Sequence, residues 1–303
     1  MRFSIWPSPN WSWQEIVDLA RHCEATGWDG FYFADHFMPN TPDTTVVDGD
    51  TIECWSVIAA VAATVPRLRL APLVTSVTYR HPAVLANIAA AVDNISEGRL
   101  LLGLGAGWQE NEHAAYGIEL GSVKQRIDRF EEAVQILRSL LRESRTTFDG
   151  EYFKLTDAAN QPRPVQDKLP ILIGASGEKR MMRIAARLAD EWNAWTTPDV
   201  LSHKVGVLRR HCEEVGRDPG EIAVSTQALM FLSTDEGWLK GIREGSMARA
   251  GVVGTPAEVT ETMGAYRDAG ADEFIVPGFT MGDPARRKET CDLFIEEVAP
   301  ALR

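Results

Sequence analysis

Asp35 and His36 stand side by side in the run GFYFADHF. Histidine is the side chain whose proton moves most readily near neutral pH, and a neighbouring carboxylate can orient it or raise its basicity. The pair therefore suits general acid–base work. Adjacent residues on a strand point to opposite faces, so one of the two should face a ligand and the other should support the backbone. The plainer reading is a histidine satisfied within a loop.

Residues 99–112, RLLLGLGAGWQENE, are the second candidate. Leu100, Leu101, Leu102 and Leu104 run on without polar alternation, as in a strand buried on both faces of a parallel sheet. Gly103, Gly105 and Gly107 remove side chains at its end, so that another backbone or a flat ligand can approach closely. Tight packing alone is the plainer alternative. Trp108, Gln109, Glu110, Asn111 and Glu112 then supply a ring and several polar groups. A dinucleotide fingerprint is excluded: G-x-G-x-x-G needs Gly where Trp108 stands, and this strand is about the fourth of the chain.

Two shorter stretches complete the set. Val74 to Thr78 carries the small polar residues Thr75, Ser76 and Thr78 around Val77. These can line a flat ring, with Arg80 available to an anionic group; an ordinary strand-to-helix turn looks the same. Gly174, Ser176 and Gly177 open the turn GASGEKR, where backbone amides at a helix start can bind phosphate without net positive charge. A plain turn reads alike, and the spacing is not that of a Walker loop. Neither H-E-x-x-H nor G-x-S-x-G occurs, and the six histidines are dispersed, so no metal site is expected. Met181, Met182 and the nine tryptophans are assigned to the core.

These stretches need strands that end at one place. Phe3–Trp6 reads as a first strand and 12–26 as a helix capped by Ser12 and stopped by Gly27. Strands follow at 30–34, 68–74 and 99–107, separated by helices at 53–65 and 82–95. The polar loop from Pro39 to Thr51 suggests a mobile lid. After a helix at 122–142 the βα rhythm breaks from Thr146 to about Leu169, an insertion with a hairpin in FDGEYFKL. Strands at 170–174, 191–195, 223–232 and 273–276 then alternate with helices at 178–188, 200–215, 236–247, 257–269 and 284–298. Eight strands alternating with helices predict an α/β fold, a (β/α)8 TIM barrel, spanning 1–303 as one domain. A doubly wound sheet is the alternative. The barrel would gather Asp35, Ser76, Gly107, Gly174 and Thr196 at its C-terminal face.

The 303 residues are 45% hydrophobic and 24% charged, an ordinary globular mixture. A net charge of −12 argues against nucleic acid or an anionic membrane as partner. Cys23, Cys54, Cys212 and Cys291 lack C-x-x-C spacing, which points to free buried thiols in a reducing compartment. The N-terminus has no secretory pattern, and the most apolar window, 55–65, is too short to span a bilayer. A cytoplasmic location is expected.

The segments GFYFADHF, VTSVTYRHPAVLANIAAAVDNISEGRLLLGLGAGWQENE and ILIGASGEKRMMRIAARLADEWN together resemble the luciferase-like monooxygenase superfamily, most closely its branch that uses the deazaflavin coenzyme F420. The resemblance covers nearly the whole chain and implies a TIM barrel. It implies that Asp35 and His36 touch the coenzyme and act in proton transfer, and that a non-prolyl cis peptide lies behind the ring at Ser76–Val77. It further places Ala106, Gly107 and Asn111 at the ring, and Ser176 and Gly177 at the phosphate. The related sugar-phosphate dehydrogenases carry a catalytic Glu where this chain has Trp108; Glu110 and Glu112 are near but not equivalent. That departure argues against sugar-phosphate oxidation and brings forward reduction of an unsaturated or carbonyl compound. His36 and Glu110 are the catalytic candidates. An FMN-dependent monooxygenase and a non-catalytic coenzyme-binding protein are the competing functions. Superfamily members are often dimers, and Ile58, Val61 and Val65, read as outward-facing, suggest a homodimer.

Overall fold

A computed structural model describes residues 1–41, 45–245 and 251–303. The chain opens with β1 (Arg2–Trp6), α1 (Trp13–Thr26), β2 (Gly30–Phe33) and α2 (Cys54–Thr64). Ser12 and Glu15 close a reciprocal capping box on α1, and Gly27 ends it at φ 90°. β3 (Arg69–Pro72), the short β4 (Thr75–Ser76), α3 (Pro82–Ile95) and β5 (Leu102–Gly105) follow. Next come α4 (Glu110–Tyr116), α5 (Val123–Arg142), the antiparallel hairpin β6 (Thr146–Asp149) and β7 (Lys154–Ala158), then β8 (Ile171–Gly174) and α6 (Arg180–Leu188). The chain continues through β9 (Glu191–Trp195), α7 (Pro198–Glu214), β10 (Ala223–Gln227), β11 (Leu229–Leu232) and α8 (Glu236–Glu244). It ends with β12 (Gly251–Gly254), α9 (Pro256–Asp268), β13 (Glu273–Pro277) and α10 (Pro284–Leu293).

The parallel strands run in the order β3-β2-β1-β13-β10-β9-β8-β5-β4. A bridge between Leu70 and Leu100 and the pairing of Thr75 with Leu104 join the two ends, so β4 continues the stave that β3 begins. This is the expected (β/α)8 barrel. Its outward residues, among them Phe3, Phe31, Leu102, Trp192 and Phe274, are fully buried under the helices. Each such side chain contributes about 1.5–3 kcal/mol of burial. Inside, Arg69 pairs with Glu191 (3.2 Å) and Glu273 (3.5 Å) toward the strand N-termini. Tyr32, Ala71, Leu101, Leu172 and Ile275 fill the middle. Among the described residues, the barrel interior is left open to a ligand at its C-terminal mouth.

The strand glycines have a specific tenant. A Cβ on Gly103 would lie 2.0 Å from the Pro72 carbonyl oxygen; on Gly105 and Gly174 it would meet the Val74 methyls at 2.5 and 2.9 Å. Of the two partners expected from the sequence, backbone or flat ligand, backbone occupies the space at Gly103, and at Gly105 and Gly174 the Val74 side chain between β3 and β4 takes it. Gly103→Ala should therefore cost about 1–3 kcal/mol by overpacking, read from the midpoint of urea denaturation. An unchanged midpoint would contradict this close approach. The non-prolyl cis peptide lies here too, at Leu73–Val74 and not at the expected Ser76–Val77. Both bonds end in Val, but only Val74 sits over the glycines, whereas Val77 is buried in the core.

Other departures are local. The strand expected at 223–232 breaks at Ala228, and β11 leaves the barrel to pair with β12. Helix α4 was hidden because its seven residues are too few to show helical periodicity. The insertion's hairpin docks beside α5, where the Glu132 carboxylate accepts bonds from the amides of Glu151, Tyr152 and Phe153. Residues 42–44 of the expected lid and 246–247 of the expected helix at 236–247 lie outside the described residues. Ile58, Val61 and Val65 are fully buried inside the protomer, so they offer no face to a second copy. All four cysteines are free and buried, as expected. Among the described residues no helix is long and apolar enough to cross a membrane, and no group of His, Cys, Asp or Glu could hold a metal.

Candidate active site

The strand ends surround a cleft of about 530 Å³. β2 delivers Asp35 and His36, the β3–β4 stave delivers Val74 and Ser76, and β5 delivers Ala106, Gly107 and Trp108. β8 contributes Gly174, Ser176 and Gly177. Eight of the residues expected from the sequence thus meet in one place: Asp35, His36, Ser76, Ala106, Gly107, Gly174, Ser176 and Gly177.

Asp35 and His36 divide their tasks as strand geometry requires. The Asp35 carboxylate is buried, receives both guanidinium nitrogens of Arg80 (2.7 and 3.1 Å) and accepts from the Ser76 amide at 3.3 Å. Burial pushes this carboxyl above its ordinary value, against the pull of Arg80. Arg80 also reaches Glu53 at 2.6 Å, so its charge is consumed within the protein and it does not serve an anionic ligand.

His36 turns its ring to the cleft. Its Nδ1 lies 2.8 Å from Glu112 Oε1, while the other carboxylate oxygen accepts from the Phe37 amide at 2.8 Å. The Tyr79 hydroxyl also donates to Glu112. Burial pushes the Glu112 carboxyl up, but these donors outweigh it and hold it below the usual range. Burial and Glu112 together push the Tyr79 hydroxyl up, so it stays a donor. An ionised Glu112 fixes a proton on His36 Nδ1 and leaves Nε2 for a ligand.

A second chain of hydrogen bonds sets the character of Ser76. His113 is kept low by burial, and its Nδ1 faces the Gln109 carbonyl oxygen at 2.6 Å, so Nδ1 carries the proton. Nε2 must then accept from Thr78 Oγ1 (2.7 Å), which forces Ser76 Oγ to donate to Thr78 (2.6 Å). Ser76 is left facing the cleft with lone pairs only.

Four expected residues fall elsewhere. Val77 is in the core, and Thr78 stands behind Ser76. Asn111 is buried and donates to the Pro39 and Thr45 carbonyls, within the stretch expected to be a mobile lid. Glu110, the first residue of α4, is exposed and lines no part of the cleft. Val74, Trp108 and Glu112 lie in the stretches singled out from the sequence but were given no role there. Tyr79, Met181, Trp6 and Trp195 were missed, the last three having been assigned to the core. Strand parity held a signal for two of them: Trp6 follows inward-facing Ser4 by two, and Trp195 follows inward-facing Asn193 by two. Nothing local marks Glu112 as the partner of a histidine 76 positions away.

The profile of the luciferase-like monooxygenase family matches residues 1–238. An uncharacterized protein of Mycobacterium tuberculosis is 32% identical over 213 residues, which are 66% of this chain and 74% of that protein. An F420-dependent glucose-6-phosphate dehydrogenase of Kineococcus radiotolerans is 33% identical over 225 residues, 73% of this chain and 65% of the enzyme. The solved structure of an F420-dependent secondary alcohol dehydrogenase with an F420-acetone adduct superposes with a TM-score of 0.86 at 21% identity, covering 100% of this chain and 99% of that one. At that identity the superposition speaks for the fold. With barrel, cleft and profile in agreement, the chain belongs to the luciferase-like monooxygenase family.

Proposed function

We propose that this chain is an oxidoreductase that passes hydride between coenzyme F420 and a small organic substrate, with residues 1–303 acting as one domain. The observation that carries the reading is a cleft flanked by His36, whose Nδ1 is capped by Glu112 and whose Nε2 is free to give or take a proton. The relatives named as F420-dependent supply the choice of coenzyme.

The residues fit such a group. Ala106 and Gly107 give a nearly side-chain-free wall for a flat ring, with the Val74 side chain and Ser76, an acceptor, beside it. The exposed turn at Ser176 and Gly177 leads into α6 and suits a phosphate. Bound there, the deazaflavin supplies a ring carbon that gives or takes a hydride. His36 moves the accompanying proton at Nε2, and Glu112 orients the ring through Nδ1. Asp35, held by Arg80 and the Ser76 amide, shapes the backbone and moves no proton. Glu110 has no part, because it lies outside the cleft.

Equilibrium fluorescence titration tests the coenzyme. Oxidised F420 should bind more tightly than flavin mononucleotide. Equal or stronger binding of the flavin would favour a flavin-dependent monooxygenase and overturn the proposal.

A further inference from the structure

Next to the coenzyme cleft lies a second lobe of about 500 Å³, sharing Trp6, His36, Trp108 and Trp195 with it. Its wall is aromatic. Trp6 meets Phe279 edge to face at 5.0 Å and Trp195 at 6.0 Å, while His36 meets Trp108 at 5.5 Å. Trp108, Trp195 and Phe279 remain 57%, 43% and 41% exposed. Clustered apolar surface of this kind around a concavity marks a ligand site. Gln109 and Thr51 also line the lobe, and both Gln109 Oε1 and Thr51 Oγ1 lack a hydrogen-bond partner.

The charge of the two lobes is as informative as their shape. Among the described residues that line them there is no Lys and no Arg. The nearby Arg80 is bound by Asp35 and Glu53. Phosphate and carboxylate recognition relies on such cations or on clustered amides, so an anionic substrate would enter this lobe unpaired.

We propose that this second lobe is the substrate chamber and takes an uncharged, ring-bearing carbonyl compound, packed against Trp6, Trp108, Trp195 and Phe279 with its oxygen at His36 Nε2. The inference rests on the F420 reading above. In the reducing direction the carbonyl carbon gains a hydride from the reduced coenzyme, which is the two-electron donor. The carbonyl π pair moves to oxygen, and the proton on His36 Nε2 follows it. An alcohol and neutral His36 result, and the coenzyme is left oxidised.

Acetophenone is the probe, titrated calorimetrically into protein saturated with oxidised F420, with glucose 6-phosphate titrated in parallel. Acetophenone should bind, and glucose 6-phosphate should bind more weakly or not at all. Phe279 lines only the second lobe, so Phe279→Ala should weaken acetophenone by about 3- to 10-fold and leave F420 affinity unchanged, while Phe279→Tyr restores binding. Failure of F420 to bind would overturn the coenzyme reading. Normal F420 binding, with glucose 6-phosphate preferred or with acetophenone indifferent to Phe279→Ala, would overturn this inference alone.

Discussion

His36→Ala is expected to lower turnover by about 10²–10⁴-fold, the range that positioned acid–base groups contribute, and to change coenzyme affinity and melting temperature little. The ring stands partly exposed at the cleft, so the core does not rest on it. Its loss leaves the Glu112 carboxylate with the Phe37 amide and the Tyr79 hydroxyl, so no buried charge is stranded. What disappears is the one imidazole that presents Nε2 to the ligand. Single-turnover rates and melting temperatures of parent and variant, both with saturating coenzyme, check the expectation. If His36 only satisfied Glu112, the variant would lose stability and keep its rate per folded molecule. An unchanged rate would remove His36 from proton transfer.

Arg80→Met should be the most damaging change to stability near the site. It leaves the buried Asp35 carboxylate with a single donor, the Ser76 amide at 3.3 Å. Removing one partner of a buried pair costs about 3–5 kcal/mol. The sign of its pH dependence follows from Asp35, whose carboxyl burial already raises and which loses the downward pull of Arg80 in the variant. A carboxyl whose folded value lies above its unfolded value keeps its stability at low pH and loses it as pH rises through the interval between the two. The deficit should therefore be largest near neutral pH and shrink on acidification. Urea denaturation of both proteins at neutral and mildly acidic pH measures it. A deficit that does not vary with pH would mean that Asp35 is not the group left unpaired.

What the sequence disclosed and what it concealed divide along physical lines. Strand parity and glycine spacing act over a few residues, and from them came the barrel, the opposed roles of Asp35 and His36, and the close approach at Gly103 and Gly105. The tenant of that space was ambiguous, because a glycine removes a side chain without naming what replaces it. The structure puts Val74 there. Arg80 looked available because sequence shows a charge but not its consumption by Asp35 and Glu53. Glu112 and Glu110 were indistinguishable in composition. Only the start of α4, by turning one carboxylate inward and the other to solvent, separates them. Tryptophan is buried more often than not, and that general tendency concealed Trp6 and Trp195 at the mouth.

Hydride transfer without oxygen is the heart of the proposal. The most direct test mixes the protein with reduced F420 and a panel of uncharged ketones and enones under strictly anaerobic conditions. Coenzyme absorbance and reduced product are then followed together. Oxidation of the coenzyme should match product formed mole for mole, at a rate unchanged when oxygen is admitted. Turnover that appears only with oxygen, or coenzyme that stays reduced across the whole panel, would contradict it.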